Sequence, residues 1–289
     1  MAEESLRVST GARESHYTVV KRDGSHEYIE APIIHEDLVS VYVNGLEVAT
    51  VMCSPREQEA LALGFLANEG IIDSLDEVVV NRVCNSGGCV DVWLTHADTN
   101  SKRRLILTAG CGGGVTFDDL SETHPALPPD DVFVPVERLW TLMDELYQHA
   151  ELYGEARGVH TAAFSPGDHV TLAAEDIGRH NTLDKVRGKA LLQGIDTQGG
   201  VLLTTGRVSS EMINKARSMG IPIVCSRTSP TSLSVRLAAE WNITLVGYLR
   251  RNSLNVYTHP RRVLATTTPP SELTAASNGR TGREKPSHA

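Results

Sequence analysis

The chain has 289 residues, 40% of them hydrophobic and 22% charged, with a formal net charge of −9. That composition suits a globular protein of about two domains, and the negative balance argues against a general nucleic-acid or anionic-membrane binder. No apolar run reaches the roughly 18 residues that a membrane-spanning helix needs, and the opening MAEESLRVSTGARESHY lacks the basic and apolar regions of a signal peptide.

The expectation is a cytoplasmic protein. Its five cysteines, Cys53, Cys84, Cys89, Cys111 and Cys225, are too few and too scattered for a disulfide framework. The odd number leaves at least one thiol free, and reduced thiols are expected throughout.

Residues 1–30 are polar and aperiodic, which suggests a flexible arm. LVSVYVNGLEVATVMC, residues 38–53, alternates around Asn44-Gly45, the strongest short hairpin signal. In SPREQEALALGFLANEG, Ser54 reads as a helix cap, Pro55 as the first helical position and Glu57 as the partner in a capping box. Leu61, Phe65 and Leu66 share one face of that helix, and Gly70 stops it. Further strands are predicted at 78–84, 90–96 and 105–108, so residues 31–118 read as an α+β N-terminal domain carrying Cys111.

The acidic, proline-rich stretch DDLSETHPALPPDDVFVP makes residues 119–134 a linker. A helix is predicted over 136–153, with Leu139, Leu142, Met143 and Leu146 on one face and Gly154 as its stop. Strands at 160–164, 170–174, 200–205, 221–225 and 243–248 then alternate with helices at 182–193, 209–219 and 231–241. The expected fold class is α/β, with a mostly parallel sheet covered on both faces over residues 135–264. Residues 265–289 have no apolar period and read as a disordered tail.

Ligands of such sheets sit beyond the carboxyl ends of strands. Three predicted strand ends carry polar clusters: EDIGRHN with Asp176, Arg179, His180 and Asn181; GRVSSE with Arg207 and Ser209; and SRTSPTS. RRNSLNVYTHPRR near the end adds four arginines around Tyr257, Thr258 and His259. Arginines beside helix N-termini suit a phosphate-bearing ligand. Asp176, Arg179 and Asp184 also fit a surface ion network, and Ser209 fits a plain helix cap.

Cys111 differs from the other cysteines. It stands in RLILTAGCGGGVTF, with Gly110 before it and Gly112, Gly113 and Gly114 after it. Such neighbours offer no packing reason for a thiol, whereas a thiolate that must visit two places is served by a yielding backbone. Cys84 and Cys89, with the four residues NSGG between them, fit either half of a zinc site or a hairpin with facing cysteines. His149-Ala150-Glu151 matches the H-x-E of zinc deaminases without the partner P-C-x-x-C, and reads as chance.

With these segments in view, the chain resembles the formate dehydrogenase accessory sulfurtransferase family, FdhD, over roughly residues 30–263. VYVNGLEVATVMCSPREQEALALGFLANEGII is similar to the family's N-terminal half. GVHTAAF, EDIGRHNTLDK, TTGRVSSEMINKARSMGIPIV, SPTSLSVRLAAE and LNVYTHPRR resemble its C-terminal half, in the same order. The resemblance implies a cytidine-deaminase-like three-layer C-terminal domain without the deaminase zinc ligands, preceded by the smaller α+β domain. It further implies a sulfurtransferase that moves sulfur from a cysteine desulfurase to the bis-molybdopterin guanine dinucleotide cofactor (Mo or W), bound as substrate, before that cofactor enters the formate dehydrogenase catalytic subunit. No catalytic metal of its own is implied, and a homodimer is left open.

The carrier cysteine falls on Cys111. The cofactor-contacting segment falls on Leu254, Asn255, Val256, Tyr257, Thr258 and His259, to which Arg179, His180 and Arg207 are added from the strand-end clusters. One departure matters: the family commonly shows C-G-x-C-G in the loop, and here the second cysteine is replaced by Gly114. Either Cys111 acts alone, or Cys84 or Cys89 substitutes. The rival readings are a non-catalytic chaperone that only binds and delivers the cofactor, and a zinc hydrolase or deaminase.

Overall fold

The structure, a computed structural model, describes residues 11–97, 106–107, 115–116 and 124–264. The chain opens with β1 (Ala12–Val20) and β2 (His26–Ile34), an antiparallel hairpin where missing periodicity suggests a flexible arm. The hairpin is exposed along most of its length, so no buried face imposes an alternation. The turn did carry a signal: Gly24 has φ 84°, and Asp23 Oδ1 accepts hydrogen bonds from Ser25 N and Oγ at 2.9 and 2.6 Å. At its base Ala12 and Ile34 pack on Leu152 and Val159.

β3 (Asp37–Val43) and β4 (Leu46–Cys53) turn at Asn44-Gly45, with φ 48° and 83° as a primed hairpin turn requires. β5 (Val78–Val83) and β6 (Cys89–Leu94) complete a sheet of order β4-β3-β6-β5, parallel only at β3–β6. α1 (Gln58–Asn68) covers it, placing Leu61, Leu63 and Leu66 against Val39, Val41, Val90 and Val92. β7 (Ile106–Leu107) and β8 (Val115–Thr116) form a short antiparallel pair.

α1 ends at Gly70 as the sequence suggests. Gly70 N donates to Ala67 O and Ile71 N to Leu66 O, a Schellman closure. Its start departs from expectation. Glu57, at φ 55°, is the residue before the helix and makes no cap bond, and Ser54 is not a cap. Ser54 is fully buried and turned toward the other half of the molecule.

The second half is a six-stranded sheet of order β10-β9-β11-β12-β13-β14, built from β9 (His160–Ser165), β10 (Leu172–Asp176), β11 (Val201–Thr204), β12 (Ile223–Ser226), β13 (Thr244–Arg250) and β14 (Ser253–Val256). It is mixed, not mostly parallel. β11–β12 and β12–β13 are parallel, whereas β9–β10, β9–β11 and β13–β14 are antiparallel. The linkers decide this, because a parallel crossover takes about a dozen residues or more and only short turns join β9 to β10 and β13 to β14.

Three layers result. On one face lie α4 (Arg179–Gln193), α5 (Ser210–Ser218) and α6 (Ser232–Glu240), whose Leu183, Met212 and Leu237 meet Phe164, Leu202, Val224 and Leu245. On the other lies α2 (Val136–Gln148), whose Leu139, Leu142 and Leu146 meet the alternate residues Ala163, Leu203, Cys225 and Val246. The single helix expected over 136–153 is broken at His149-Ala150, and α3 (Glu151–Ala156) continues past Gly154. Glu175 causes the break: its carboxylate accepts from Leu152 N and Tyr153 N at 2.7 and 2.8 Å, capping α3 from the sheet edge. Burial raises the Glu175 pKa against these two bonds.

The described part of the expected linker is built into this half. Leu127 N donates to Trp241 O, Val134 packs in the α2 core, and Asp130 pairs with the fully buried Arg262. Among the described residues no helix is long and apolar enough to cross a membrane.

The two halves cross through glycines. A Cβ on Gly64 of α1 would overlap the Asp184 carbonyl, and one on Gly188 of α4 would overlap the Ala60 carbonyl. Backbone thus meets backbone at the α1–α4 crossing. Beside it, fully buried Lys185 pairs with fully buried Asp176 at 2.7 Å and donates to Ser54 O and Glu175 O at 3.1 Å each. Asp176 Oδ2 in turn accepts from Ser54 N at 3.1 Å, and Ser54 Oγ accepts from Ile177 N at 3.2 Å.

Candidate functional site

Although the sheet is mixed, β10, β11 and β12 run in the same direction, since β9 is antiparallel to both β10 and β11. Their carboxyl ends therefore share one rim, and α4, α5 and α6 all start from it. The three strand-end clusters found in the sequence are brought together there. Three helix N-termini aimed from one rim favour an anionic ligand.

The rim loops are stitched to one another. Val208 bridges Pro230 in parallel, Val208 N donates to Ser229 O at 3.1 Å, and Ser226 Oγ donates to Gly206 O at 2.7 Å. Ser209 caps α5, accepting from Met212 N, and Thr231 forms a capping box with Ser234 at the start of α6. Ser209 is thus a cap and also a site neighbour, because His180 Nε2 lies 2.9 Å from its Oγ.

Arg179 and His180 are the first two residues of α4, and both are buried. Gly206 makes room for Arg179: a Cβ there would stand 2.8 Å from the arginine's own Cβ. The His160 ring is on the same side, 3.4 Å from that point, and burial and then Arg179 push its pKa down. Burial pulls His180 down to about 4 even though Glu211, 3.5 Å from Nδ1, works against it. The His180 imidazole is neutral at physiological pH. Arg207 is exposed at the start of the β11–α5 loop.

Behind His180 runs a buried chain of charge. Lys215 lies 3.5 Å from Glu211 and donates to both Asp184 oxygens at 2.7 and 2.8 Å, and Asn68 of α1 donates to Asp184 at 2.7 Å. Burial alone would lower Lys215, but Asp184 and Glu211 outweigh it and hold the ammonium charged. Asp176, Arg179 and Asp184, which the sequence also suits to a surface ion network, are all buried, with Asp176 paired to Lys185 and Asp184 to Lys215.

The segment 254–259 does not act as a unit. Leu254 and Val256 turn into the α2 core. Thr258 is buried, accepting from Leu245 N and donating to Ile243 O, and His259 lies 2.9 Å from Ala239 O toward the opposite ends of the strands. Asn255 and Tyr257 take the other face. The Tyr257 ring lies 3.0 Å from a Cβ position on Gly247, which also faces Pro230 of the rim. Tyr248, missed in the sequence, flanks the same loop: its N donates to Thr228 O, and it holds φ 50° at a bulge in β13. Positive φ on a tyrosine is costly and marks a special position.

The thiols separate clearly. Cys53 and Cys225 are fully buried; burial pushes Cys53 up to about 12 and raises Cys225 further. Cys84 and Cys89 are bonded to each other as a disulfide, with Cα atoms 5.4 Å apart across the β5–β6 turn. That corrects the expectation of reduced thiols and takes up the hairpin alternative, whose facing partners need no metal. No group of three or more His, Cys, Asp or Glu placed to hold a metal occurs among the described residues. Cys111 lies outside the described residues.

The chain is similar to known proteins over most of its length. The model of the FdhD/NarQ family matches residues 34–264. A protein of Wolinella succinogenes named "Sulfur carrier protein FdhD" is 36% identical over 251 residues, 85% of this chain and 88% of that one. Its namesake in Bacillus subtilis is 35% identical over 246 residues, 83% of this chain and 93% of that one. A crystal structure of a putative formate dehydrogenase accessory protein from Desulfotalea psychrophila superposes with a TM-score of 0.72 at 27% identity, covering 88% of this chain and all of that one.

Proposed function

The chain belongs to the FdhD/NarQ family, and from that premise we propose that Cys111 carries sulfur for the maturation of formate dehydrogenase. The Cys111 thiolate attacks the outer sulfur of a persulfide on a cysteine desulfurase. The donor S–S bond breaks, the donor cysteine leaves as thiolate, and Cys111 keeps the sulfur as a persulfide. The Cys111 S–S bond then breaks and Cys111 leaves as thiolate, while the sulfane sulfur becomes a sulfido ligand of the bis-molybdopterin guanine dinucleotide cofactor, bound as substrate before it enters the catalytic subunit. The cofactor's molybdenum or tungsten, in its reduced +4 state, supplies the two electrons and rises to +6. In this reading the three-layer half has the cytidine-deaminase-like arrangement and holds the guanine nucleotide at its rim.

The accounting of thiols carries the proposal. Cys53 and Cys225 are buried and held protonated, and Cys84 and Cys89 occupy each other. Of five cysteines, only Cys111 is left to serve as nucleophile. The rim supports the other half of the reading, with Arg179 and Arg207 beside three helix N-termini for phosphates. Asn255 and Tyr257 are the members of the 254–259 segment that face it.

The direct test is the intact mass of the protein after incubation with a cysteine desulfurase and cysteine. A gain of one sulfur on the wild type and none on Cys111→Ala is expected. An equal gain on both would place the carrier elsewhere.

A further inference from the structure

At the opposite, amino-terminal ends of the strands lies a cavity of about 620 Å³, walled by α4, α5 and the 127–130 segment. Its size falls within the roughly 300–1,000 Å³ of small-molecule sites. Two guanidiniums line it. Arg187 of α4 donates from one terminal nitrogen to Thr197 Oγ1 at 3.2 Å, while its Nε, closed off from solvent, meets no acceptor, and no carboxylate among the described residues forms an ion pair with it. Burial pulls its pKa down, with Asp196 working in the other direction. Arg217 of α5 is fixed in place, donating from Nε and a terminal nitrogen to Asn214 Oδ1 at 3.1 and 2.9 Å and lying 5.2 Å from the Trp241 ring centroid.

The acidic residues of the described lining have hydrogen-bond partners of their own. Asp130 is taken by Arg262, and Asp196 Oδ1 accepts from Gln198 N. The rest of the lining includes the apolar Leu127, Pro128 and Ile195. A guanidinium without an ion pair beside a second, pre-oriented guanidinium suits a dianion, and an apolar wall suits an organic body attached to it.

We propose that this cavity binds an organic phosphate monoester of about nucleotide size, at a site separate from the rim used in sulfur transfer. A phosphate monoester carries close to two negative charges near neutral pH and three acceptor oxygens. Arg187 and Arg217 take the phosphate, and the wall formed with Leu127 takes the organic body. Neither residue belongs to the sulfur-carrier reading, so the two proposals stand or fall apart.

The test titrates AMP and inorganic phosphate into the full chain by calorimetry, following tryptophan emission in parallel. AMP should bind saturably with Kd below about 1 mM, at least tenfold weaker in Arg187→Gln and unchanged in Arg207→Ala. Binding should perturb the emission of Trp241, the ring stacked on Arg217, and Trp241→Phe should remove that signal. If Arg187→Gln fails to fold, protection of Arg187 from phenylglyoxal by the nucleotide, read by peptide mass on the wild type, takes its place. The proposal is overturned if AMP does not bind saturably, or if inorganic phosphate binds as tightly as AMP. It is equally overturned if binding is lost in Arg207→Ala and kept in Arg187→Gln, or if Arg187 goes unprotected.

Discussion

Gly64 on α1 and Asp184 on α4 meet with no room for a methyl group: a Cβ on Gly64 would fall onto the Asp184 carbonyl oxygen. Gly188 meets the Ala60 carbonyl in the same way one turn along α4. The partners are backbone atoms, so no rotamer change can relieve the overlap. Gly64→Ala and Gly188→Ala should each force the helices apart and destabilise the protein by about 2–4 kcal/mol. Urea unfolding measures this directly. A loss below about 0.5 kcal/mol in either variant would mean that the helices do not cross this closely.

The Asp176–Lys185 pair ties that crossing to the rim, because it holds both Ser54 of the N-terminal half and the turn into α4. Removing one member leaves a buried charge unpaired, which typically costs about 3–5 kcal/mol. Asp176→Asn and Lys185→Met should each lose about that much. The double variant should lose clearly less than the sum, as a double-mutant cycle in urea would show. Strict additivity would mean that the two side chains do not depend on each other.

His180 makes stability depend on pH. Burial lowers its pKa to about 4 in the folded protein, below the roughly 6.5 of an unfolded histidine. Between those values the unfolded chain takes up a proton that the native chain refuses. The contribution is therefore complete above pH 6.5 and is lost as pH falls toward 4, by about 3 kcal/mol in all. The His180 ring signal in NMR should stay in its neutral position down to about pH 5. A midpoint near 6.5 would show that the ring is open to solvent.

Much of this architecture was legible in the sequence because local chemistry and tertiary demand agree there. Asn44-Gly45, Gly70, and the helix starts at Ser209 and Thr231 sit where their residues say they should. The misreadings arose where a distant residue overrides a local signal. Ser54 looks like a cap, yet Asp176 and Lys185, more than 120 positions away, claim its backbone. Glu175 breaks a helix in a segment that reads as continuous. The β1–β2 hairpin escaped notice because little of it is buried. At the rim, residue types were legible, but facing was not: nothing in LNVYTH says that Asn255 and Tyr257 share the rim face while Leu254 and Val256 enter the core.

Arg207 is exposed at the rim while Arg179 is buried against Gly206, so the two should respond differently. Arg207→Ala should leave stability within about 0.5 kcal/mol of wild type. Guanine nucleotide affinity should fall by about 1.5–3 kcal/mol if Arg207 holds a phosphate. The measurement belongs on the full chain, because a fragment starting near residue 135 would lose α1 from α4 and Asp130 from Arg262. Unchanged affinity would remove Arg207 from the site.

Cys111→Ser separates a sulfur carrier from a cofactor chaperone. The change exchanges a thiol for a hydroxyl of similar size that cannot hold a persulfide. Its sequence neighbours are glycines, which offer no side chains for either group to pack against, so the melting temperature should stay within about 2 °C of wild type. Guanine dinucleotide binding should survive, since the proposed ligands are on α4, the β11–α5 loop and β14. Formate dehydrogenase matured with this variant should contain its cofactor, lack the added sulfur and be inactive. Full activity would mean that sulfur does not travel through Cys111. Cys84 and Cys89, once reduced, would then be the thiols to test, because Cys53 and Cys225 are closed inside their cores.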